Sequence, residues 1–107
     1  MKPLLFLDTE TTGFKQPRLV QLAWEHHPTG EKCNEVFLPP CDIEEGASAV
    51  HGWTMEKLLD KLAFDESESY DLTQKMINES IVVAHNAQYD IGVLRNEGLT
   101  VPRWICT

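Results

Sequence analysis

The chain has 107 residues, a net charge of −8, and 42% apolar against 24% charged residues. That is at most one small domain, too apolar to be disordered and without the run of about 18 apolar residues that a membrane span needs. It is too acidic to grip a nucleic-acid backbone through clustered Lys and Arg, although bound divalent ions would reverse the charge locally.

In chain order, residues 4–8 (LLFLD) read as a strand whose run is apolar on both faces, as for a central strand covered on both sides. The stretch TGFKQP is a loop, residues 19–25 (LVQLAWE) a second strand, PTG a turn holding the solvated His26 and His27, and residues 35–38 (EVFL) a third strand stopped by Pro39-Pro40. Three strands with short connections predict an antiparallel meander. The stretch CDIEEGASAV reads as irregular, with Asp42, Glu44 and Glu45 on a solvated surface. Thr54 is positioned to cap a helix through MEKLLDKL, with Met55, Leu58, Leu59 and Leu62 at helical spacing. A second helix spans 68–78 with Leu72, Met76 and Ile77 on one stripe. Residues 81–84 form a strand, Asn86 is a candidate cap, 87–97 a helix, and Gly98 its stop. VPRWICT opens a last strand. The order predicts an α/β fold: a mixed sheet whose meander is followed by strands parallel to the first, joined by right-handed crossovers through helices.

Side chains alternate along a strand, so Asp8 and Glu10 face one side, at the carboxyl end where open α/β sheets bind ligands. In the late helix, Ala87, Asp90, Ile91 and Leu94 fall on one inward stripe. An acid there must be hydrogen-bonded, paired or metal-bound. If residues 81–84 lie beside the first strand, Asp8, Glu10 and Asp90 converge. Three like charges would raise their own pKa values, and hard cations with oxygen ligands, Mg²⁺ or Mn²⁺, resolve the repulsion. Two such ions would hold a phosphodiester in line for hydrolysis. Either motif alone reads more readily as a strand end turning into solvent or as a capped helix with a satisfied Asp; it is their joint occurrence, on the right elements, that points to a site.

Together FLDTETTG, ASAVHGWTMEKL, VAHNAQYDIGVL and WICT resemble the DEDDh 3′–5′ exonuclease family, closest in WICT to its exonuclease X-like members. The resemblance implies a ribonuclease-H-like sheet. It implies metal ligation and catalysis by Asp8, Glu10 and Asp90, and a substrate pocket formed by Thr9, Glu10, Thr12, His51, Trp53 and Asn86. It further implies DNA or RNA 3′ ends as substrate and nucleoside 5′-monophosphates as product. Trp53 stands where the family has an aliphatic residue, and Tyr89 where Phe is common. A further His-x-Ala-x-x-Asp motif, which supplies the family's general base and fourth carboxylate, is absent. The chain therefore reads as the amino-terminal part of such a domain, with weak hydrolysis or none. A non-catalytic module binding metal or nucleotide is the alternative. An uncovered sheet face makes a homodimer an expectation. Cys33, Cys41 and Cys106 fit neither a disulfide framework nor a zinc site. With no signal peptide in Met1-Lys2-Pro3, they suit a reducing cytoplasm without membrane attachment.

Overall fold

The computed structural model describes residues 2–107. Its centre is a five-stranded mixed sheet of order β3-β2-β1-β4-β5, comprising β1 (Leu4–Thr11), β2 (Leu19–His27), β3 (Lys32–Val36), β4 (Ile81–Ala84) and β5 (Trp104–Cys106). The meander β1-β2-β3 is antiparallel. Strand β4 pairs parallel with β1, and β5 parallel with β4. The helices are α1 (Glu45–His51), α2 (Met55–Leu58), α3 (Glu68–Glu79) and α4 (Ala87–Asn96). This is the predicted architecture, and no helix among the described residues is long and apolar enough to cross a membrane.

Period-2 alternation divides β1. Leu5, Leu7, Thr9 and Thr11 are buried, while Phe6 and Asp8 are exposed and Glu10 half-buried. The buried row meets Leu22 and Trp24 of β2 and Val82 of β4, and α3 and α4 close over it with Met76, Ile77, Ile91 and Leu94. Burying each such side chain stabilises the fold by roughly 1.5–3 kcal/mol. The expectation of cover on both faces is corrected here: Phe6 is 46% exposed. The apolar run of β1 serves one core, not two.

Other differences have local causes. Strand β3 starts earlier than expected, because Lys32 and Cys33 pair with Glu25 and Trp24 directly after the turn. Phe37 lies beyond the strand's end and is buried in the core. The stretch read as irregular holds α1, which buries none of its residues and so carries no amphipathic signal; Gly52, at φ 80°, ends it by donating to Ser48 O. Helix α2 is a single turn: Thr54 caps it by accepting from the Lys57 amide, but only Leu58 is buried, and Leu59 and Leu62 are exposed. Helix α3 turns Ser69, Thr73, Met76 and Ile77 inward, while Leu72 is exposed. Its polar inward residues have partners, Thr73 Oγ1 accepting from Trp24 Nε1 at 3.0 Å and Ser69 meeting the Cys33 thiol. His26 is a buried residue opposite Leu5, not a solvated one. It bonds Thr29 through Nδ1, and its Nε2 has no partner.

Candidate active site

The end of β1 is built for exposure on one side and anchorage on the other. Asp8 and Glu10 project from the open face, opposite Ala23 and Gln21 of β2. Asp8 Oδ1 accepts from the Thr9 amide at 3.0 Å, and neither acid takes part in an ion pair among the described residues.

Asp90 arrives from the covered side, as the inward stripe of α4 requires. It is 4% exposed, and its Oδ1 accepts from the Thr9 hydroxyl at 2.6 Å. Burial pushes its carboxyl up from the ordinary range. The Thr9 hydroxyl opposes that rise, and the charges of Asp8 and, more weakly, Glu10 add to it. The three acids therefore feel one another, but they do not share one pocket as the sequence suggested. Among the described residues no three His, Cys, Asp or Glu side chains gather closely enough to hold a metal ion. The reason is the pleat: Thr9 lies between the two outward acids and points inward, where it meets the inward acid of α4. What fits a hard cation here is the pair Asp8 and Glu10, since Mg²⁺ commonly takes one or two carboxylates and keeps several waters.

Concavities run along this edge. One of about 600 Å³ is lined by Phe6, Asp8, Glu25, Asn34, Val83 and His85, among others. The next, about 330 Å³, shares Asp8 and Asn34 and adds Thr9, Glu10, Gln21, Val50 and His51. A third, about 260 Å³, shares Thr9, Glu10, Val50 and His51 and continues to Phe14, Asn86 and Tyr89. They adjoin as a trough of three concavities, Asp8 lining both the first and the second and Glu10 both the second and the third.

His51 lies in that trough with both ring nitrogens engaged. Nδ1 accepts from the Trp53 amide at 3.0 Å, and Nε2 meets Thr11 O at 2.9 Å. A carbonyl only accepts, so Nε2 carries the proton. His51 thus ties the end of α1 to the end of β1, leaving no free nitrogen to take a proton from water. Trp53 turns its indole N–H to Gln21 Oε1 at 3.0 Å and is not among the residues lining the trough. Thr12 is buried, its hydroxyl accepting from the Arg18 amide at 3.0 Å, which closes the loop after β1. Asn86 lines the third concavity and precedes α4 without a side-chain capping bond.

Sequence reasoning missed several contributors. Tyr89 donates to Gly13 O at 2.9 Å and bonds the Thr11 hydroxyl, using the hydroxyl that distinguishes it from Phe. Glu44, read as solvated, bonds the Lys15 amide at 3.1 Å. It packs where a side chain on Gly13, at φ 143°, would have to stand. Glu97 accepts from Arg18 Nε at 2.8 Å, from its Nη2 at 3.2 Å and from the Leu19 amide at 2.9 Å, holding the loop to the end of α4 and raising the Arg18 pKa. His85 lines the same concavity as Asp8. It also opens the one place where the letters His-x-Ala-x-x-Asp do occur, at residues 85–90; there they form the strand-to-helix junction that delivers Asp90.

Residues 5–101 match the family described as exonuclease. The chain is 35% identical over 108 residues to the DNA polymerase III subunit epsilon of Buchnera aphidicola subsp. Acyrthosiphon pisum, covering 90% of this chain and 44% of that protein. The corresponding subunit from Buchnera aphidicola subsp. Schizaphis graminum is 30% identical over 105 residues, covering 88% and 44%. The chain thus spans less than half the length of these curated relatives. Among solved structures, exonuclease X in complex with 5′ overhanging duplex DNA superposes with a TM-score of 0.72 at 27% identity, over 96% of this chain and 58% of that one. Exonuclease I from Methylocaldum szegediense superposes at 0.75 and 20% identity, over 89% and 23%, a likeness of fold.

Proposed function

We propose that this chain, which belongs to the exonuclease family, holds the 3′ end of a DNA strand in the trough along β1. Asp8 and Glu10 bind divalent cations there, and cleavage releases nucleoside 5′-monophosphates. The observation that carries this reading is the trough itself. A linear polymer fits contiguous concavities, and the two uncompensated carboxylates stand at the junctions between them. DNA is favoured over RNA by the relatives, named as subunits of a DNA polymerase, and by the structural neighbour that holds duplex DNA.

Asp8 and Glu10 supply the hard oxygen ligands, and Asp90 adds a third negative charge from the covered side while Thr9 holds its oxygen. Divalent cations held by Asp8 and Glu10 would supply an activated water and offset charge on the leaving oxygen. The remaining residues position the strand. His51, held in one tautomer, and Val50 wall the junction at Glu10, while Tyr89 and Glu44 fix the turn after β1.

A second reading, binding without turnover, is favoured by the engaged nitrogens of His51, which leave it no free site to take a proton from water. Loss of a general base typically costs about 10²–10⁴-fold in rate. Titration of the chain with Mn²⁺ and thymidine 5′-monophosphate, beside cleavage of an end-labelled oligonucleotide, separates the two. Binding with cleavage from the 3′ end supports the nuclease, and binding without cleavage supports the module. Absence of metal-dependent nucleotide binding overturns both.

A further inference from the structure

Trp53 has a single polar atom, an indole N–H that can only donate. Its bond to Gln21 Oε1, at 3.0 Å, therefore fixes which way the Gln21 amide faces. With its oxygen toward Trp53, Gln21 turns its nitrogen toward β3, where Nε2 donates to Asn34 Oδ1 at 2.9 Å. The oxygen of Asn34 is then occupied, and its Nδ2 remains as a donor. Here the network begins at a group that has no acceptor, so the whole relay has one direction.

Asn34 ends that relay beside the acids of the open face. It sits on the open face opposite Ala23, which is itself opposite Asp8. It lines both concavities that meet at Asp8. The charged and titratable groups around it in the larger one are Asp8, Glu25, Lys32 and His85, and Lys32 is 3.7 Å from Glu25. Apart from Lys32, which is drawn to Glu25, and His85, the charged side chains on this wall are carboxylates, which repel a ligand rich in oxygen acceptors.

We propose that Asn34 Nδ2 is a binding group that donates to an oxygen of the nucleotide held at Asp8 and Glu10, and that Trp53 and Gln21 are positioning residues that keep the Asn34 amide turned that way. This rests on the reading of the trough as a nucleotide site. It gives Trp53 a use other than base stacking: its ring is a scaffold, and its N–H sets the polarity of the wall. The oxygen belongs either to phosphate or to a base carbonyl, and both present the same acceptor chemistry.

The test is calorimetric titration of the 107-residue chain with thymidine 5′-monophosphate in Mg²⁺. Asn34→Ala weakens binding about fivefold, the size of one neutral hydrogen bond, and leaves the melting temperature unchanged because Asn34 is exposed. Gln21→Glu keeps the acceptor for Trp53 but has no proton for Asn34, whose amide then reverses and presents oxygen to the nucleotide. It weakens binding at least as much as Asn34→Ala. The part due to its added charge is read from the same change in the Asn34→Ala background. Trp53→Phe, which keeps a ring and loses the N–H, weakens binding about twofold, within the range of one neutral hydrogen bond. Repeating the Asn34→Ala titration with 2-deoxyribose 5-phosphate assigns the acceptor: a loss that persists supports the phosphate oxygen, and one that vanishes supports the base. If the wild-type chain binds and Asn34→Ala binds equally well, the inference falls and the function stands. If Gln21→Glu costs no more than its charge control, the positioning roles fall. If the wild-type chain does not bind the nucleotide, the function falls and takes this inference with it.

Discussion

The two faces of β1 put the same strand to opposite uses. On the covered face, Leu5, Leu7, Thr9 and Thr11 lie under α3 and α4, where Thr9 bonds Asp90 and Trp24 bonds Thr73. On the open face, Phe6 is exposed, Glu10 borders Val50 and His51 of the short helix α1, and among the described residues neither acid is in an ion pair. Stability is concentrated on one face and the proposed binding groups on the other. Asp90 shows the division most clearly: it is an acid of the proposed site, and it is held by the rules of the core.

If that division holds, substitutions separate by face, and their effects on stability fall in a definite order. Leu94→Ala, in the fully buried stripe of α4, destabilises by about 2–5 kcal/mol in chemical denaturation; a loss under about 1 kcal/mol would mean that α4 is not the lid of the core. Glu97→Ala removes the acceptor of three hydrogen bonds and leaves the partly buried Arg18 without its partner. It costs about 1–3 kcal/mol and loosens the loop at residues 13–18, read as faster amide exchange at Leu19.

Asp90→Asn changes stability in the other direction. The folded-state carboxyl is raised above its ordinary value, so the folded chain holds the proton more tightly than the unfolded chain. Stability then falls as pH rises through the interval between the ordinary and the raised value, and the penalty is complete above it. The asparagine variant, which still accepts from Thr9, melts higher than wild type at neutral pH. The gain fades as the pH is lowered toward the ordinary carboxylate range. A gain that is constant with pH would contradict the burial of a charged Asp90. Asp8→Ala has the smallest effect, within about 0.5 kcal/mol as for an exposed side chain, and its sign in metal-free buffer is stabilising, because Asp8 repels Asp90.

Much of this was legible in the sequence where the signal was periodic. The meander, the parallel β4, the inward Asp90 and the shared face of Asp8 and Glu10 all follow from spacing of two or of three to four residues. The partner of Asp90 was legible too, in retrospect: an inward acid needs an inward polar group, and Thr9 is the odd residue between two outward acids. Three features were beyond reach. Helix α1 buries nothing, so no stripe marks it. The openness of the second face depends on elements that would cover it, which a run such as LLFL cannot report. The Trp53–Gln21–Asn34 relay joins three segments whose meeting depends on the β2–β3 register, which no local pattern encodes.

The central claim is that Asp8 and Glu10 hold the cation from the open face, while Asp90, bonded to Thr9, assists without being a direct ligand. Titration of Mn²⁺ into wild type, Asp8→Ala and Asp90→Asn by calorimetry tests it most directly. The expected result is a loss of binding in Asp8→Ala, at least tenfold as for removal of a ligating charge, with Asp90→Asn weakened severalfold and still binding; tenfold is about 1.4 kcal/mol. Equal binding in Asp8→Ala and wild type would contradict it, as would complete loss in Asp90→Asn with Asp8→Ala intact.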